Sequence, residues 1–273
     1  MKFGVAMFAT EYAIRPDDLA RALEERGFES LWIPEHTHIP ASRKSVFPGR
    51  GDLPKEYWYT YDPFLALTAA AAVTKRLKLG TGICLVVERD PITTAKEVAT
   101  LDRLSDGRLI FGIGGGWNAE EMEHHGTAFK TRFSVLRERM LAMKKIWTED
   151  EPSFRGDYVN FDKIWSWPKP IQKPHPPILM GGDGARTFDR VVEFCDGWLP
   201  LLQGKVKETI APKIQTLRAR KKDADVSVFG VRPQKQVIDD LAEAGATRAI
   251  FMIPSEPRDE ALAKLDGLAA VAK

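Results

Sequence analysis

Apolar runs of strand length alternate with amphipathic helical runs from one end of the 273-residue chain to the other. Strict alternation favours parallel strands that are joined by right-handed helical crossovers. Eight such units predict a closed (β/α)8 TIM barrel, because an open doubly wound sheet rarely reaches eight regular units without a second domain. The predicted strands span residues 2–8, 28–33, 77–84, 108–114, 178–180, 197–201, 226–231 and 248–253.

Two insertions interrupt this repeat. Residues 36–60, which are rich in proline, glycine and aromatic side chains, follow the second strand. A helical region over 119–146 and a hairpin near 154–161 follow the fourth strand. No low-complexity linker or charge block marks a boundary, so we expect one α/β domain over residues 1–273.

Charge and cysteine content limit the partners that the protein can bind. The chain has 40 Lys and Arg against 38 Asp and Glu, a net charge of +2, without a long basic run, which argues against a nucleic-acid partner. Cys84 and Cys195 have no CxxC spacing, which fits a reducing compartment and no zinc site. We see no signal-peptide pattern and no apolar run of bilayer length, so we expect a cytoplasmic protein without a membrane partner.

The second strand ends in Ile33-Pro34-Glu35-His36, at the barrel edge where such folds carry their chemistry. A carboxylate beside a histidine can orient the imidazole and tune its proton affinity, so Glu35 and His36 are candidate catalytic residues. An ordinary polar turn is the alternative. His36 and His38 also form an HxH pair, but a metal site would need further ligands at later strand ends, and we predict none.

Glycines mark the ends of the third and fourth strands. Gly80 and Gly82 weaken the third strand unless the backbone must bulge or approach a ligand, and packing against a helix explains one glycine better than two. The fourth strand ends in Gly114-Gly115-Gly116-Trp117, which lacks the last glycine of a dinucleotide fingerprint but still offers accessible N–H groups. The alternative for Trp117 is a core aromatic at the barrel rim, which is the commoner position of tryptophan.

The fifth strand ends in Gly181-Gly182-Asp183-Gly184, with a helix predicted from Ala185. Such a turn suits a phosphate, because a helix N-terminus supplies positive potential. We expect Asp183 to cap this helix.

In the insertion after strand four, His124 and His125 stand beside acidic residues, but adjacent helical side chains diverge by about 100°. We therefore interpret that segment as a solvated face (Glu120, Glu121, Glu123, His124 and His125).

The chain resembles the bacterial luciferase-like monooxygenase superfamily and, within it, the coenzyme F420-dependent oxidoreductases of actinobacterial type. The resemblance covers most of the chain. It is carried by residues 33–36 (IPEH), 79–83 (LGTGI), 100–108 (TLDRLSDGR), 112–117 (GIGGGW), 147–150 (WTED), 169–170 (KP), 176–182 (PPILMGG) and 196–200 (DGWLP).

The resemblance implies a ring system held at the barrel mouth against a bulge in the third strand, where a cis peptide joins Gly82 and Ile83. It places Glu35 and His36 beside the reactive carbon of the ring, and it favours a homodimer. It also implies that two turns contact the chain and phosphate of the cofactor; these turns are Gly114, Gly115, Gly116 and Trp117, and Gly181, Gly182, Asp183 and Gly184.

The expected reaction is hydride transfer between C5 of a deazaflavin and a small organic substrate, with His36, oriented by Glu35, handling the accompanying proton. Related F420-dependent sugar-phosphate dehydrogenases have an acidic residue near position 117, and Trp117 cannot replace it, so their substrate does not carry over. Segment 36–60 is expected to close over the site and meet an anionic cofactor tail through Arg43, Lys44 and Arg50.

Three alternatives stay open at this stage. The first is an FMN-dependent monooxygenase on the same fold, with FMN in place of F420. The second is a carrier that binds F420 without catalysis. The third is a metal-dependent hydrolase that uses His36 and His38.

Overall fold

The computed structural model describes residues 1–49 and 51–272. Its ten strands are short, and eight of them are buried. In chain order they are β1 (Lys2–Ala6), β2 (Ser30–Ile33), β3 (Lys78–Thr81), β4 (Leu109–Ile113), β5 (Phe154–Arg155), β6 (Asn160–Phe161), β7 (Ile178–Gly181), β8 (Gly197–Leu199), β9 (Asp225–Phe229) and β10 (Arg248–Met252).

Helices connect the strands and surround them. They are α1 (Pro16–Glu25), α2 (Glu56–Tyr59), α3 (Pro63–Val73), α4 (Pro91–Leu104), α5 (Ala119–His124), α6 (Arg132–Thr148), α7 (Thr187–Phe194), α8 (Val206–Thr209), α9 (Ala211–Arg220), α10 (Lys235–Ala244) and α11 (Arg258–Val271). Within the described residues, none of these helices combines the length and the apolar character that crossing a bilayer requires.

Strands β1–β4 and β7–β10 pair in parallel and close into a barrel in the order β1-β10-β9-β8-β7-β4-β3-β2. Strands β5 and β6 form the antiparallel hairpin of the second insertion. The predicted barrel is therefore confirmed, with both insertions where the sequence places them. The predicted helix over 206–221 is divided into α8 and α9, because Pro212 lacks an N–H donor and fits only the first turn of a helix.

A small apolar cluster fills the barrel interior, and Trp32 is its largest member. Gly80 gives this indole room, because a Cβ at position 80 would overlap the Trp32 ring. One of the two glycines in the third strand is therefore explained by packing. The cluster consists of Ala6, Trp32, Ile110, Leu179, Leu199, Phe229 and Ile250.

Gly112 in β4 gives a direct test of this packing. A Cβ there would overlap the carbonyl oxygen of Thr81 in the neighbouring strand, so Gly112→Ala must displace backbone rather than a side chain. We expect a loss of about 1–3 kcal/mol in the free energy of unfolding, measured by urea denaturation. Gly267→Ala is the control: nothing lies within 4 Å of its Cβ in α11, and we expect a gain of about 0.5–1 kcal/mol. Equal stability of the two variants would contradict this account.

Candidate active site

A cavity of about 370 Å³ opens at the carboxyl ends of the barrel strands. Its volume lies in the range of small-molecule sites, and its walls are mainly apolar. Every barrel strand except β4 contributes to it, either directly or through the residues that follow the strand. The lining residues are Phe8, Pro34, Tyr57, Gly82, Ile83, Gly181, Gly182, Asp183, Leu199, Leu201, Gln203, Phe229 and Met252.

Ile83 lies on the floor of this cavity, after a cis peptide bond between Gly82 and Ile83, as the resemblance implies. Its side chain occupies space that two neighbouring strand ends leave free. A Cβ on Gly114 would overlap Cδ1 of Ile83, and one on Gly181 would lie 2.9 Å from Cγ2. The absence of side chains at these two glycines therefore leaves the space that Ile83 occupies at the base of the cavity.

The turn after β7 forms one side of the cavity. Gly182 has a φ of +92°, a conformation that favours glycine, and its carbonyl oxygen accepts a hydrogen bond of 2.7 Å from Nε1 of Trp198. Within the described residues, the backbone N–H groups of residues 183–186 have no protein acceptor. Accessible N–H groups just before a helix are a suitable partner for an anion.

Asp183 does not cap the following helix, so that prediction is wrong. Helix α7 begins at Thr187, two residues later than expected, and Arg186 occupies its N-cap position without a side-chain hydrogen bond. The Asp183 carboxylate instead pairs with Lys213 of α9. The lysine offsets the negative charge that the carboxylate would otherwise direct at an anion in the turn.

The first insertion extends the site. A second cavity of about 530 Å³ shares Tyr57, Leu201 and Gln203 with the first, so the two form one cleft. Phe47, Pro48 and Gly49 of the insertion, together with Gly204, complete its wall. These residues and Tyr57 place part of segment 36–60 at the barrel mouth. Arg43 and Lys44 are exposed, and Arg50 lies outside the described residues.

His36 is held by Glu121, and not by its neighbour Glu35. Nδ1 of His36 lies 2.7 Å from Oε2 of Glu121, and the N–H of Thr37 donates to Oε1 at 3.0 Å. A carboxylate can only accept hydrogen bonds, so the contact of His36 with an ionised Glu121 requires the proton on Nδ1 and leaves Nε2 for chemistry. We find no partner for Nε2 within the described part of the chain. The expected orientation of His36 by Glu35 is therefore wrong.

Glu35 belongs to a separate buried ion pair. Its carboxylate accepts from the N–H of Leu85 at 2.6 Å and from Nε of Arg89 at 2.5 Å. Glu35 and His36 therefore have different partners although they are adjacent in sequence. The same guanidinium contacts Asp62 and Glu97, which places Arg89 at the centre of a structural network that includes Glu35.

Aromatic rings surround His36. Its ring centroid lies 5.3 Å from that of Tyr57 and 5.7 Å from that of Trp117. Tyr57 lines the cleft, so the histidine lies next to a residue of the cavity wall. Burial raises the pKa of the Tyr57 phenol, which keeps it protonated as a possible donor.

Gly115 and Gly116, the two glycines directly before Trp117, pack against the second insertion and are not part of the cavity lining. A Cβ on Gly115 would lie 2.6 Å from the ring of Phe133, and one on Gly116, whose φ is +64°, 2.9 Å from Met122. Their packing against the second insertion explains both residues. A role for them in binding a cofactor remains a prediction.

The acidic segment of the second insertion is only partly a solvated face. Glu121 is fully buried and reaches His36, which the sequence interpretation missed. His124 is exposed, and its Nδ1 lies 2.8 Å from Nε2 of His38. Among the residues that the structure describes, no group of three or more His, Cys, Asp or Glu side chains is arranged to hold a metal ion.

Comparison with known proteins agrees with this architecture. The family model for luciferase-like monooxygenases matches residues 4–271. An uncharacterized protein of Mycobacterium tuberculosis is 38% identical over 99% of this chain and 98% of its own length.

Two relatives with a named activity match less of the chain. An FMNH(2)-dependent dimethylsulfone monooxygenase of Pseudomonas putida is 30% identical over 69% of this chain and 52% of its own length. An F420-dependent glucose-6-phosphate dehydrogenase of Amycolatopsis mediterranei is 31% identical over 63% of this chain and 47% of its own length. The chain thus spans about half of each of these two proteins. On the extent of the family match and the closed barrel together, this protein belongs to the luciferase-like monooxygenase family.

Proposed function

We propose that the protein is an F420-dependent oxidoreductase that transfers a hydride between the deazaflavin and a small organic substrate. The observation that carries the proposal is the cleft itself, where an apolar floor adjoins a turn with free N–H groups. A planar ring with an anionic tail needs both features in one place. The name of the relative from Amycolatopsis supports the choice of F420.

The residues of the cleft divide between the two parts of such a cofactor. Ile83 and Phe229 offer apolar contact to a ring, and the N–H groups of residues 183–186 offer donors to a phosphate. When bound, F420 supplies a carbon centre that accepts or donates a hydride. Tyr57 and Phe47 of the insertion line the cleft and would limit the access of water to a bound cofactor.

We assign the transfer of the accompanying proton to His36. Its Nδ1–H donates to Glu121, which stabilises an imidazolium ring, and Nε2 is available to give or take a proton. For substrate reduction, the protonated ring donates from Nε2 and becomes neutral, while Glu121 remains the acceptor at Nδ1. Oxidation uses the reverse transfer.

Parallel titration of the purified protein with F420 and FMN, followed by fluorescence, tests the cofactor. We expect saturable binding of F420 and much weaker binding of FMN. Tight FMN binding, or consumption of O2 with reduced FMN, would instead support the monooxygenase function named for the relative from Pseudomonas putida. Tight F420 binding without turnover across a panel of alcohols, ketones and enones would support a carrier.

The Lys213–Asp183 pair tests the position of the anionic tail. We expect Lys213→Ala to weaken F420 binding about tenfold, because it removes a cation and leaves the Asp183 carboxylate unpaired beside the phosphate. Binding of a deazaflavin without the phosphate tail should change little. Lys264→Ala is the matched control: Lys264 pairs with Glu256 and is equally exposed, but lies outside the cleft. Equal losses for the tailed and tailless cofactors would contradict this assignment.

A further inference from the structure

A third carboxyl group, Glu88, lies next to Glu121 and has no hydrogen-bond donor among the described residues. It ends a 3-10 turn over Val86–Glu88 that packs against α5, the helix that carries Glu121. The residue is only 7% exposed, and both of its side-chain oxygens are buried without a hydrogen-bond donor in the described structure. A buried carboxylate without a donor is costly, so its protonation state needs an explanation.

The charged groups around Glu88 do not supply a counter-ion of its own. Arg89 already contacts Glu35, Asp62 and Glu97. The guanidinium of Arg139 donates to the carbonyl oxygen of Val86 at 2.8 Å. On the other side, Glu88, Arg89, Arg139 and His125 line a separate cavity of about 330 Å³ beneath the hairpin of the second insertion.

Glu121 and Glu88 differ in the donors that reach them. Glu121 accepts from Thr37 and His36, which stabilise its ionised form, whereas Glu88 accepts from none. When two carboxyl groups share a buried site, they do not both ionise. The proton therefore belongs on Glu88, where it turns an unsatisfied acceptor into a donor.

We propose that Glu88 is a positioning residue that stays protonated at neutral pH and donates a hydrogen bond to Glu121, so that Glu121 remains the carboxylate that holds His36. Burial, together with the negative charges of Glu121 and Glu35, raises the pKa of Glu88 to about 9, in agreement with this assignment. Glu88 itself transfers no proton in the reaction. The consequence for catalysis rests on the proposed role of His36, but the protonation state of Glu88 does not.

Infrared spectroscopy of the cofactor-free protein tests the protonation state directly. At neutral pH we expect the carbonyl stretch of a buried protonated carboxyl group, which is lost in Glu88→Gln and kept in the control Glu260→Gln, an exposed residue of α11. In the wild type this band should disappear around pH 9. An unchanged band in Glu88→Gln, or no such band in the wild type at pH 7, would overturn the proposal.

A second variant tests the coupling and does not depend on how Glu88→Gln folds. Glu121→Gln removes the neighbouring negative charge, so the midpoint at which the Glu88 band disappears should fall by about one pH unit or more. An unchanged midpoint would show that the two carboxyl groups are not coupled.

For turnover, Glu88→Leu removes the donor and should lower kcat about tenfold or more, whereas Glu88→Gln keeps a donor and should recover most of that loss. Equal loss in both variants would contradict positioning through a hydrogen bond.

Discussion

His36→Asn is expected to lower kcat for hydride transfer by about 10²- to 10⁴-fold, the usual contribution of a general acid or base. The free ring nitrogen Nε2 is lost, while the small amide fits the space that the imidazole leaves between Tyr57 and Trp117. Cofactor binding should change little, because the contacts proposed for the ring and the tail come from other residues of the cleft. Stopped-flow measurement of deazaflavin oxidation, together with a fluorescence titration, separates the two effects.

His124→Asn provides the control for this variant. His124 is exposed and bonds to His38, outside the cleft, so kcat should stay within about twofold of the wild type.

Comparison of Glu121→Gln with Glu35→Gln then identifies the carboxylate that acts on the histidine. We expect Glu121→Gln to change the pH profile of kcat and Glu35→Gln to act mainly on stability. The opposite pattern would assign the orientation of His36 to Glu35 after all.

The barrel could be predicted from the sequence because its signal is local and repeated. Each strand–helix unit carries its own apolar pattern, and helix starts such as Asp62-Pro63 and Asp90-Pro91 combine a capping carboxylate with a proline in the first turn. Pro212 also indicates where the helix predicted over 206–221 is divided into α8 and α9, because a proline fits only the first turn of a helix.

The partner of His36 could not be predicted in the same way. Glu121 is 85 positions away and reaches the histidine only because the second insertion folds back over the end of β2. Adjacency in sequence favours Glu35, but the two residues are bonded to different parts of the chain. In α5, Glu121 stands beside the buried Met122 on the inner side of a short helix, and this position was the available signal.

The glycines show the same limit. Sequence alone leaves a choice between packing and ligand contact for Gly114 and Gly181. The choice depends on Ile83, a residue from a third strand whose side chain needs the space beside both glycines. A contact that involves the ends of three strands cannot be recognised from the sequence of any one of these strands.

Arg89→Met is expected to destabilise the fold by about 3–5 kcal/mol, since it leaves a buried carboxylate without its partner. The Glu35 side chain is about 1% exposed and would keep only the N–H of Leu85. The variant also removes a guanidinium 4.9 Å from the ring centroid of Phe64. Urea denaturation, followed by circular dichroism, measures the loss.

Arg137→Met is the matched surface control. Arg137 pairs with Glu193, and both side chains are about half exposed, so the cost should stay below about 1 kcal/mol. The double variant Arg89→Met/Glu35→Leu separates charge from packing. If the unpaired carboxylate causes the loss, removal of Glu35 should restore part of the stability, because apolar replacements of a buried ion pair are often neutral. If the double variant is less stable than Arg89→Met, the guanidinium acts mainly through Asp62 and Glu97, and the unpaired Glu35 carboxylate is not the cause of the loss.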